Sequence, residues 1–153
     1  MRGLEVPESL VEEHRELFHE LRGLASAKSD TGKKIGELLT VLEPHFEKEE
    51  VTAMPLLGLL GPISDGKEVG DLSELTSLQR KLASDYPSML REHAQVRAVI
   101  GDVRAAATKG GDEDAKKAMD ELELHAKIEE EVLYPAALLV GFFARATATA
   151  RSR

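Results

Sequence analysis

The amino-acid sequence predicts an all-α protein, folded as an up-down-up-down antiparallel four-helix bundle. Apolar residues recur at helical spacing along four stretches of the chain, and the helix-favouring residues Ala, Leu, Glu and Lys are abundant. Aromatic residues make up only 4% of the chain, and no alternating run of β-branched residues is flanked by hairpin turns. Short connections between four such helices favour antiparallel neighbours.

The first two helices are predicted in the N-terminal half of the chain. Helix one extends from the Pro-Glu-Ser segment at residues 7–9 to about residue 28, with acidic residues in its first turn, where the helix dipole favours them. After a short turn, helix two is predicted from about residue 31 to residue 53, with Pro44 as an internal kink. Residues 55–70, which are rich in Gly and Pro, are predicted to form the longest loop.

The other two helices are predicted in the C-terminal half. Helix three begins near residue 71 and ends before a Lys-Gly-Gly-Asp turn, and Pro87 is expected to kink it or split it. Helix four is predicted over about residues 112–140, with Pro135 near its end. Residues 144–153 are expected to form a tail that can fray.

Bulk composition restricts both the architecture and the function. The whole chain, residues 1–153, has the length and the soluble composition of a single domain. Its net charge of −8 at pH 7 disfavours binding to the phosphate backbone of nucleic acid. The chain contains no cysteine, which excludes disulfides and thiolate metal ligands and fits a reducing, cytoplasmic location.

The longest apolar run covers residues 132–144. Its 13 residues fall short of the roughly 20 that a helix needs to span a bilayer, and the N-terminus lacks the apolar core of a signal peptide. We therefore expect this run to pack against the domain or against a second copy. The protein is predicted to be a monomer or a homodimer that does not bind membranes.

Each predicted helix has an apolar inner face that is interrupted at one place by a histidine. In chain order, the four inner faces consist of Leu10, His14, Leu17, Leu21 and Leu24; of Ile35, Leu38, Leu42, His45 and Glu49; of Leu82, Tyr86, Met89, His93, Val96, Ile100 and Val103; and of Ala115, Ala118, Leu122, His125, Glu129, Val132 and Ala136. Tyr86 and Met89 are predicted to be core residues. The fifth histidine, His19, lies about 140° around the helix from His14 and is predicted to be exposed.

Six inner residues are candidate metal ligands. They are His14, His45, Glu49, His93, His125 and Glu129. Burying unpaired carboxylates and imidazoles is unfavourable, so polar groups on four converging helices need a common partner. Nitrogen and oxygen donors without sulfur suit iron or manganese, with zinc as a further option. The His-x3-Glu spacing puts both groups on one helix face, about 6 Å apart along the axis, which suits a site with two ions.

A repeated phrase supports the prediction of two ions. The phrase HFEKEEVTAMP in helix two is echoed by HAKIEEEVLYP in helix four. Helices one and two therefore resemble a structural copy of helices three and four, related by a pseudo-two-fold axis. We predict that one ion is bound by His14 and His45, the other by His93 and His125, and that Glu49 and Glu129 bridge them.

Several other acidic residues lie beside the candidate ligands. Glu13, Glu50, Glu92, Glu130 and Glu131 are predicted to be solvated rather than ligating, because exposed helix faces are commonly acidic. For Glu13 and Glu92 there is an alternative role, in which the carboxylate accepts the second ring N–H of a neighbouring histidine.

The order His, His-x3-Glu, His, His-x3-Glu, with Glu-Glu and Tyr-Pro after the last pair, resembles the hemerythrin-like (HHE cation-binding) domain. The resemblance covers about residues 10–135. It implies a non-haem di-iron site that is bridged by two carboxylates and an oxo or hydroxo group, with the six candidates as ligands. It also implies that the partners are small molecules such as O2, NO or peroxide, which family members bind, sense or react with.

The sequence departs from the O2-carrying members of that family at one point. Those proteins have a further histidine one turn after the third-helix ligand and a longer spacing to the final carboxylate. Here Arg97 follows one turn after His93, and the last pair is a His-x3-Glu pair. One ion is therefore expected to be a ligand short, with an open position or a bound water, which favours redox chemistry or sensing over simple O2 carriage.

Other functions remain open from the sequence. A ferritin-like oxidase or iron-handling protein would use Glu-x-x-His pairs, whereas this chain has the reverse order, a different spacing and a histidine in every helix. A structural metal-binding module without redox catalysis is the second alternative. An enzyme acting on an organic substrate is a weaker third, because no further polar cluster lies on the inner faces. The sequence does not decide whether the protein is an enzyme.

Overall fold

The computed structural model describes residues 4–153, and in this part of the chain all regular structure is helical, as predicted. The helices are α1 (Glu8–Ala25), α2 (Asp30–Thr52), α3 (Met54–Leu57), α4 (Leu60–Ser64), α5 (Leu72–Gly110), α6 (Glu113–Ile128) and α7 (Tyr134–Arg151). A five-residue π-helical turn, Glu129–Leu133, joins α6 to α7 without a break.

Side-chain caps fix where three of the long helices begin. The Ser29 hydroxyl accepts a hydrogen bond from the backbone N–H of Gly32 at 3.0 Å, at the start of α2. The Asp71 carboxylate caps α5 in the same way, and the Asp112 carboxylate caps α6. Each cap satisfies a backbone N–H that has no partner within the helix, which typically stabilises a helix by about 1 kcal/mol.

The Gly- and Pro-rich segment after α2 is more ordered than the sequence predicted. Instead of one long loop, it forms the short helices α3 and α4. Pro55 lies in the first turn of α3. Backbone N–H groups in the first turn of a helix have no acceptor within the helix, so a proline there costs no hydrogen bond. Leu56 and Leu57 are buried in the core, so packing supplies the stability that local propensity lacks.

Pro87 does not split helix three, since α5 is continuous from Leu72 to Gly110. Leu82 and Met89, on either side of this proline, are fully buried, which holds both halves of the helix against the core. Helix four continues beyond its predicted end to Arg151, so the predicted tail lies within α7, and fraying of its last turns stays a prediction.

Helices α1, α2, α5 and α6 enclose the middle of the molecule. Helix α1 packs on α2 and α6, while α5 packs on α2, α6 and α7. The apolar side chains between them form two core clusters. The first core cluster includes Leu21, Leu38, Leu42, Ile100 and Leu122, and the second includes Leu56, Leu82, Met89, Tyr134 and Val140.

The six candidate ligands lie between these two clusters. On α2, His45 and Glu49 separate Leu42 of the first core cluster from Ala53 of the second. Full burial of each large aliphatic side chain contributes about 1.5–3 kcal/mol, so the clusters hold the helices together on both sides of the polar groups.

The π-helical turn changes which face of helix four points inward. Val132 was predicted to lie on the inner face, and this is wrong, because its side chain is 56% exposed. A π-turn inserts one extra residue, which rotates the following residues by about 100° around the helix. Tyr134, Ala137 and Ala144 are therefore the buried residues beyond the turn.

The outer side of α7 is apolar and exposed. Leu139, Phe142 and Phe143 are exposed by 66%, 49% and 46% respectively. Within residues 4–153, one continuous helical stretch, Glu113–Arg151, is long and apolar enough by composition to cross a membrane. Its most apolar 18-residue window has a mean hydropathy of 1.4, and 28% of that window is buried.

Alanine substitutions at two glycines test how closely α7 packs on α5. A Cβ atom at Gly141 would lie 2.2 Å from Cγ and 2.3 Å from Cβ of the buried Gln79. We expect Gly141→Ala to destabilise the protein by about 1–3 kcal/mol, because these two helices must move apart. Thermal and denaturant unfolding measure the effect.

Gly101→Ala is the matched control, since a Cβ atom there meets no atom within 4 Å and the residue also lies in a helix. This variant should be unchanged or more stable by up to about 1 kcal/mol, because Ala is the better helix former. Equal stability of the two variants would contradict the packing described here.

Candidate metal centre

The structure brings all six predicted ligands together in the interior. Their side chains come from α1, α2, α5, α6 and the first residue of the π-turn. The relative exposures are 3% for His14, 2% for His45, 1% for Glu49, 1% for His93, 5% for His125 and 3% for Glu129. Burial this complete is unusual for carboxylates and indicates that the groups have a common partner.

The first group of potential ligand atoms comes from α2, α5 and the π-turn. His45 Nε2 and His93 Nε2 lie 2.8 Å apart. His45 Nε2 lies 3.1 Å from Glu49 Oε1, and His93 Nε2 lies 3.1 Å from Glu129 Oε2. Atoms of these four residues fall within 4.8 Å of one another, close enough to bind one metal ion.

The second group comes from α1, α6 and the π-turn. His125 Nε2 lies 2.7 Å from Glu129 Oε1, and His14 Nε2 lies 3.5 Å from the same oxygen. Potential ligand atoms of these three residues also fall within 4.8 Å of one another.

Both inner carboxylates span the two groups. Glu129 presents Oε1 to the second group and Oε2 to the first. Glu49 presents Oε1 to His45 and Oε2 to His14, at 3.1 and 3.3 Å. Each carboxylate can therefore contact two ions through its two oxygens.

The predicted pairing of the histidines is wrong. His45 groups with His93 rather than with His14, and His14 groups with His125. The cause is the axial alignment of the helices. His14 on α1 lies beside Glu49 and Glu50 of α2, one turn beyond His45.

Acidic residues around the cluster orient the histidine rings. The Nδ1 atoms of His45 and His93 lie 2.6 and 2.8 Å from the carboxylates of Glu92 and Glu130 respectively. His125 Nδ1 lies 3.0 Å from Glu13. The Nδ1–H groups donate these hydrogen bonds, so each Nε2 lone pair is free to face the interior.

These contacts correct the prediction that the surrounding acids are simply solvated. Glu13 and Glu92 take the alternative role that the sequence allowed, as acceptors from histidines on neighbouring helices. Glu130 was not expected to have such a role. Glu50 lies 3.6 Å from His14 Nδ1, too far for a hydrogen bond. Glu131 is exposed, as predicted.

Cations outside the cluster hold two of these acids in place. Arg97 donates two hydrogen bonds to Glu130, at 2.8 and 3.0 Å. These bonds are the main reason that the pKa of Glu130 is lowered. Lys48 pairs with Glu92, and hydrogen bonds from Lys48 and His45 lower the pKa of Glu92 despite its partial burial. Arg97, one turn after His93 on the same helix, thus acts on His93 through Glu130.

Burial and neighbouring charges shift the pKa values of the ionisable groups within the cluster. Burial raises the pKa of Glu49, and the neighbouring Glu129 charge raises it further. Burial would also raise the pKa of Glu129, but contacts with His125, His14 and His93 lower it overall. Burial disfavours protonated His125, yet Glu129 and Glu13 together raise its pKa to about 9. The pKa values of the two inner carboxylates are therefore shifted in opposite directions.

The cluster contains polar atoms that no protein group satisfies. In residues 4–153, the buried side-chain nitrogen and oxygen atoms without a hydrogen-bond partner are His14 Nδ1, Glu49 Oε2 and His125 Nε2. Two of them are inward-facing candidate ligand atoms. Such atoms are unfavourable in the interior unless a ligand binds them. The residues present therefore fit a metal ion, and the imidazole and carboxylate donors fit iron, manganese or zinc.

Tyr134 is the buried site residue that sequence reasoning missed. Its Oη lies 3.3 Å from His45 Nε2 and 3.2 Å from His93 Nε2, and it also donates a hydrogen bond to Glu49. A regular helix through His125 and Glu129 would point residue 134 away from the inner face. The available signal was Pro135, which disturbs helical hydrogen bonding at this place.

The second group lies beside a surface cleft between α1 and α2. The cleft has a volume of about 470 Å³ and is lined by His14, Phe18, His19, Phe46 and Glu50, among others. The Phe46 ring stacks on the His14 ring, with centroids 3.9 Å apart. His19 is exposed, as predicted. The cleft brings solvent close to His14, whereas the first group is covered by Tyr134 and the second core cluster.

Substitution of the outer acids tests their role in orienting the histidines. We expect Glu92→Gln and Glu130→Gln each to weaken metal binding about 10- to 100-fold, because an amide holds the imidazole less firmly and makes it a weaker donor. Competition with a chromophoric chelator measures the affinity for Fe(II) or Zn(II).

Glu131→Gln is the control. Glu131 is exposed, and within residues 4–153 its one ion pair is a long one with Lys127, at 3.8 Å. The Glu131→Gln variant should bind metal with the same affinity as the unmodified protein. If all three variants bound metal equally well, the outer hydrogen bonds would have no part in binding.

Comparison with known families agrees with this geometry. The family model described as the hemerythrin HHE cation-binding domain matches residues 6–137 and also residues 84–151. No curated protein and no solved structure matches the chain. The first match covers most of the sequence and includes all six candidate ligands. The chain therefore belongs to the hemerythrin HHE cation-binding domain family.

Proposed function

We propose that this protein is a non-haem di-iron protein that binds, senses or reacts with a small oxidant such as O2, NO or peroxide. The observation that carries the proposal is the arrangement of two buried histidine pairs that share the carboxylates of Glu49 and Glu129. Such sharing suits two ions held close together, and two adjacent ions suit the binding or reduction of a diatomic molecule.

The donor set favours iron, with manganese or zinc as alternatives. Four imidazole nitrogens and two carboxylates, without sulfur, match the preferences of these metals. In the proposed site, His45 and His93 bind one ion and His14 and His125 bind the other. When bound, the ions supply a redox-active centre with positions for a small ligand.

The protein supplies the orientation and the dry surroundings of the site. Carboxylates on Nδ1 fix the rings of His45, His93 and His125 and strengthen them as donors. Apolar residues on both sides, including Leu42 and Met89, exclude bulk water and strengthen the electrostatic interactions within the site. The cleft beside His14 gives a small molecule a short route from solvent.

We further infer that the bundle has up-down-up-down topology. Between α2 and α5, His45 pairs with Glu92 and Lys48 with Ser88, so residue numbers rise along one helix as they fall along the other. Two other pairs of neighbouring helices support the same direction. Helices α1 and α2 are joined by His14–Glu50 and Arg22–Glu43, and α5 and α6 by Arg104–Asp120 and Arg97–Glu130.

The proposed partners are small molecules rather than macromolecules. The net charge of −8 disfavours nucleic acid, and the absence of cysteine fits a reducing cytoplasm. We propose that the protein acts there as a monomer or a homodimer.

A structural metal-binding module is the second candidate function. The cluster lies between the two core clusters, so an ion there would fasten four helices at their middle. This alternative predicts a large loss of thermal stability on metal removal and no change in the visible spectrum when iron-loaded protein meets O2, NO or peroxide.

A titration with Fe(II) in the absence of air tests the proposed function. We expect two irons to bind per chain. Admission of O2 should then produce a visible absorption, which fades on removal of O2 if binding is reversible and persists if the site is oxidised. One iron or none per chain would contradict the di-iron proposal.

Alanine substitutions test the ligand assignment. His125→Ala should reduce iron from two to about one per chain or less. Without His125, the second group retains only His14 and Glu129, and two protein ligands bind an ion weakly. Glu129→Ala should reduce it further, since this carboxylate belongs to both groups. Metal analysis after desalting gives the iron content. The exposed His19→Ala is the control and should keep two irons, whereas full iron content in the Glu129 variant would refute the assignment.

A further inference from the structure

Resting on the proposed function, we propose that Tyr134 is itself a metal ligand, binding through Oη to the ion held by His45 and His93. The phenol thereby closes a coordination position at the first group and directs small molecules to the ion held by His14 and His125. The assignment depends on where Oη lies, on how the chain places it there and on the absence of an equivalent phenol at the second group.

The position of Oη matches that of a ligand atom. It lies 3.3 Å from His45 Nε2, 3.2 Å from His93 Nε2 and 3.4 Å from Glu129 Oε2. Neighbouring atoms bound at about 2.0–2.2 Å to one ion lie about 2.8–3.6 Å apart in octahedral or tetrahedral geometry. Tyr134 Oη therefore has the spacing from the nitrogen donors that a third ligand of the same ion would have.

The fold places this side chain there and holds it firmly. The π-turn that begins at Glu129 rotates Tyr134 onto the inner face, and its side chain is only 1% exposed. The Tyr86 ring packs against it edge-on, with centroids 5.9 Å apart. π-turns inside helices occur frequently at functional sites, because they redirect a side chain without breaking the helix.

Among the described residues, the buried phenol oxygen has no hydrogen-bonding partners other than the potential ligands. Its hydrogen-bonding neighbours are Glu49, Glu129, His45 and His93, all of them residues of the first group. Once His45 and His93 bind an ion through Nε2, these nitrogens no longer accept from the phenol, and the carboxylates of Glu49 and Glu129 are its remaining acceptors. Coordination would replace the Oη–H bond by an Oη–metal bond and release the proton to solvent.

The two halves of the repeat differ at this residue. Aligning HFEKEEVTAMP with HAKIEEEVLYP puts Met54 in the first half opposite Tyr134 in the second. The chain contains two tyrosines, and the other one is Tyr86, which packs on Tyr134 rather than on the second group. The His14–His125 ion therefore lacks a phenol ligand. Its position beside the α1–α2 cleft makes it the open ion.

Spectroscopy of the Fe(III)-loaded protein tests the proposal. Because the chain has only two tyrosines, single substitutions show which of them binds iron. Phenolate bound to Fe(III) gives a visible charge-transfer absorption and tyrosinate ring modes in the resonance Raman spectrum. We expect both signals in the unmodified protein and in Tyr86→Phe, whose only tyrosine is Tyr134. We expect Tyr134→Phe to lose both signals while still binding two irons through the six other ligands.

The outcomes separate this proposal from the proposed function. Two irons in Tyr86→Phe without a tyrosinate signal would overturn the ligand assignment and leave the di-iron proposal intact. Iron bound in fewer than two equivalents by the unmodified protein would overturn the proposed function, and this inference with it. The Tyr86→Phe spectrum decides the question even if Tyr134→Phe does not fold, because any tyrosinate signal in that variant comes from Tyr134.

Discussion

The sharing of Glu49 and Glu129 between two histidine pairs is the interaction on which the rest of the molecule depends. Both carboxylates are almost fully buried, and an unpaired buried carboxylate is strongly destabilising. Four helices must therefore converge at one level to supply their partners. The two apolar core clusters lie on either side of this level and provide the burial that holds the helices there.

The two similar halves of the chain supply both the candidate ligands and the acids that orient the histidine rings. In each half, the acid before the first histidine, Glu13 or Glu92, accepts from a histidine of the other half. In the second half, Glu130 follows the inner carboxylate and accepts from His93, and Glu50 stands at the matching place in the first half. Three acids beside the candidate ligands, Glu13, Glu92 and Glu130, thus accept hydrogen bonds from the outer ring nitrogens, whereas Glu50 lies too far from His14 to do so.

The two halves are not equivalent, and the differences give the two sides of the site different properties. The second half has a π-turn, a buried tyrosine and an Arg97 that holds Glu130. The first half has Phe46 stacked on His14 and a cleft that reaches this histidine. One side of the site is therefore enclosed by polar and aromatic groups, and the other lies close to solvent.

The sequence predicted what depends on local periodicity and missed what depends on packing between helices. Apolar spacing was sufficient for the all-helical class and for the convergence of the six candidate ligands, because a helical face is a property of one segment. The pairing of His45 with His93 was not predictable, since it depends on how far each helix slides along its neighbour. Exposed Val132 and buried Tyr134 were missed because one extra residue in a π-turn leaves no trace in a pattern of period 3.6.

Anomalous X-ray diffraction from crystals of the iron-loaded protein, measured at the iron edge, tests the central claim most directly. We expect two iron peaks per chain, one bound by His45 and His93 and the other by His14 and His125, with Glu49 and Glu129 each contacting both. A single iron peak, or an ion bound by His14 together with His45, would contradict the account.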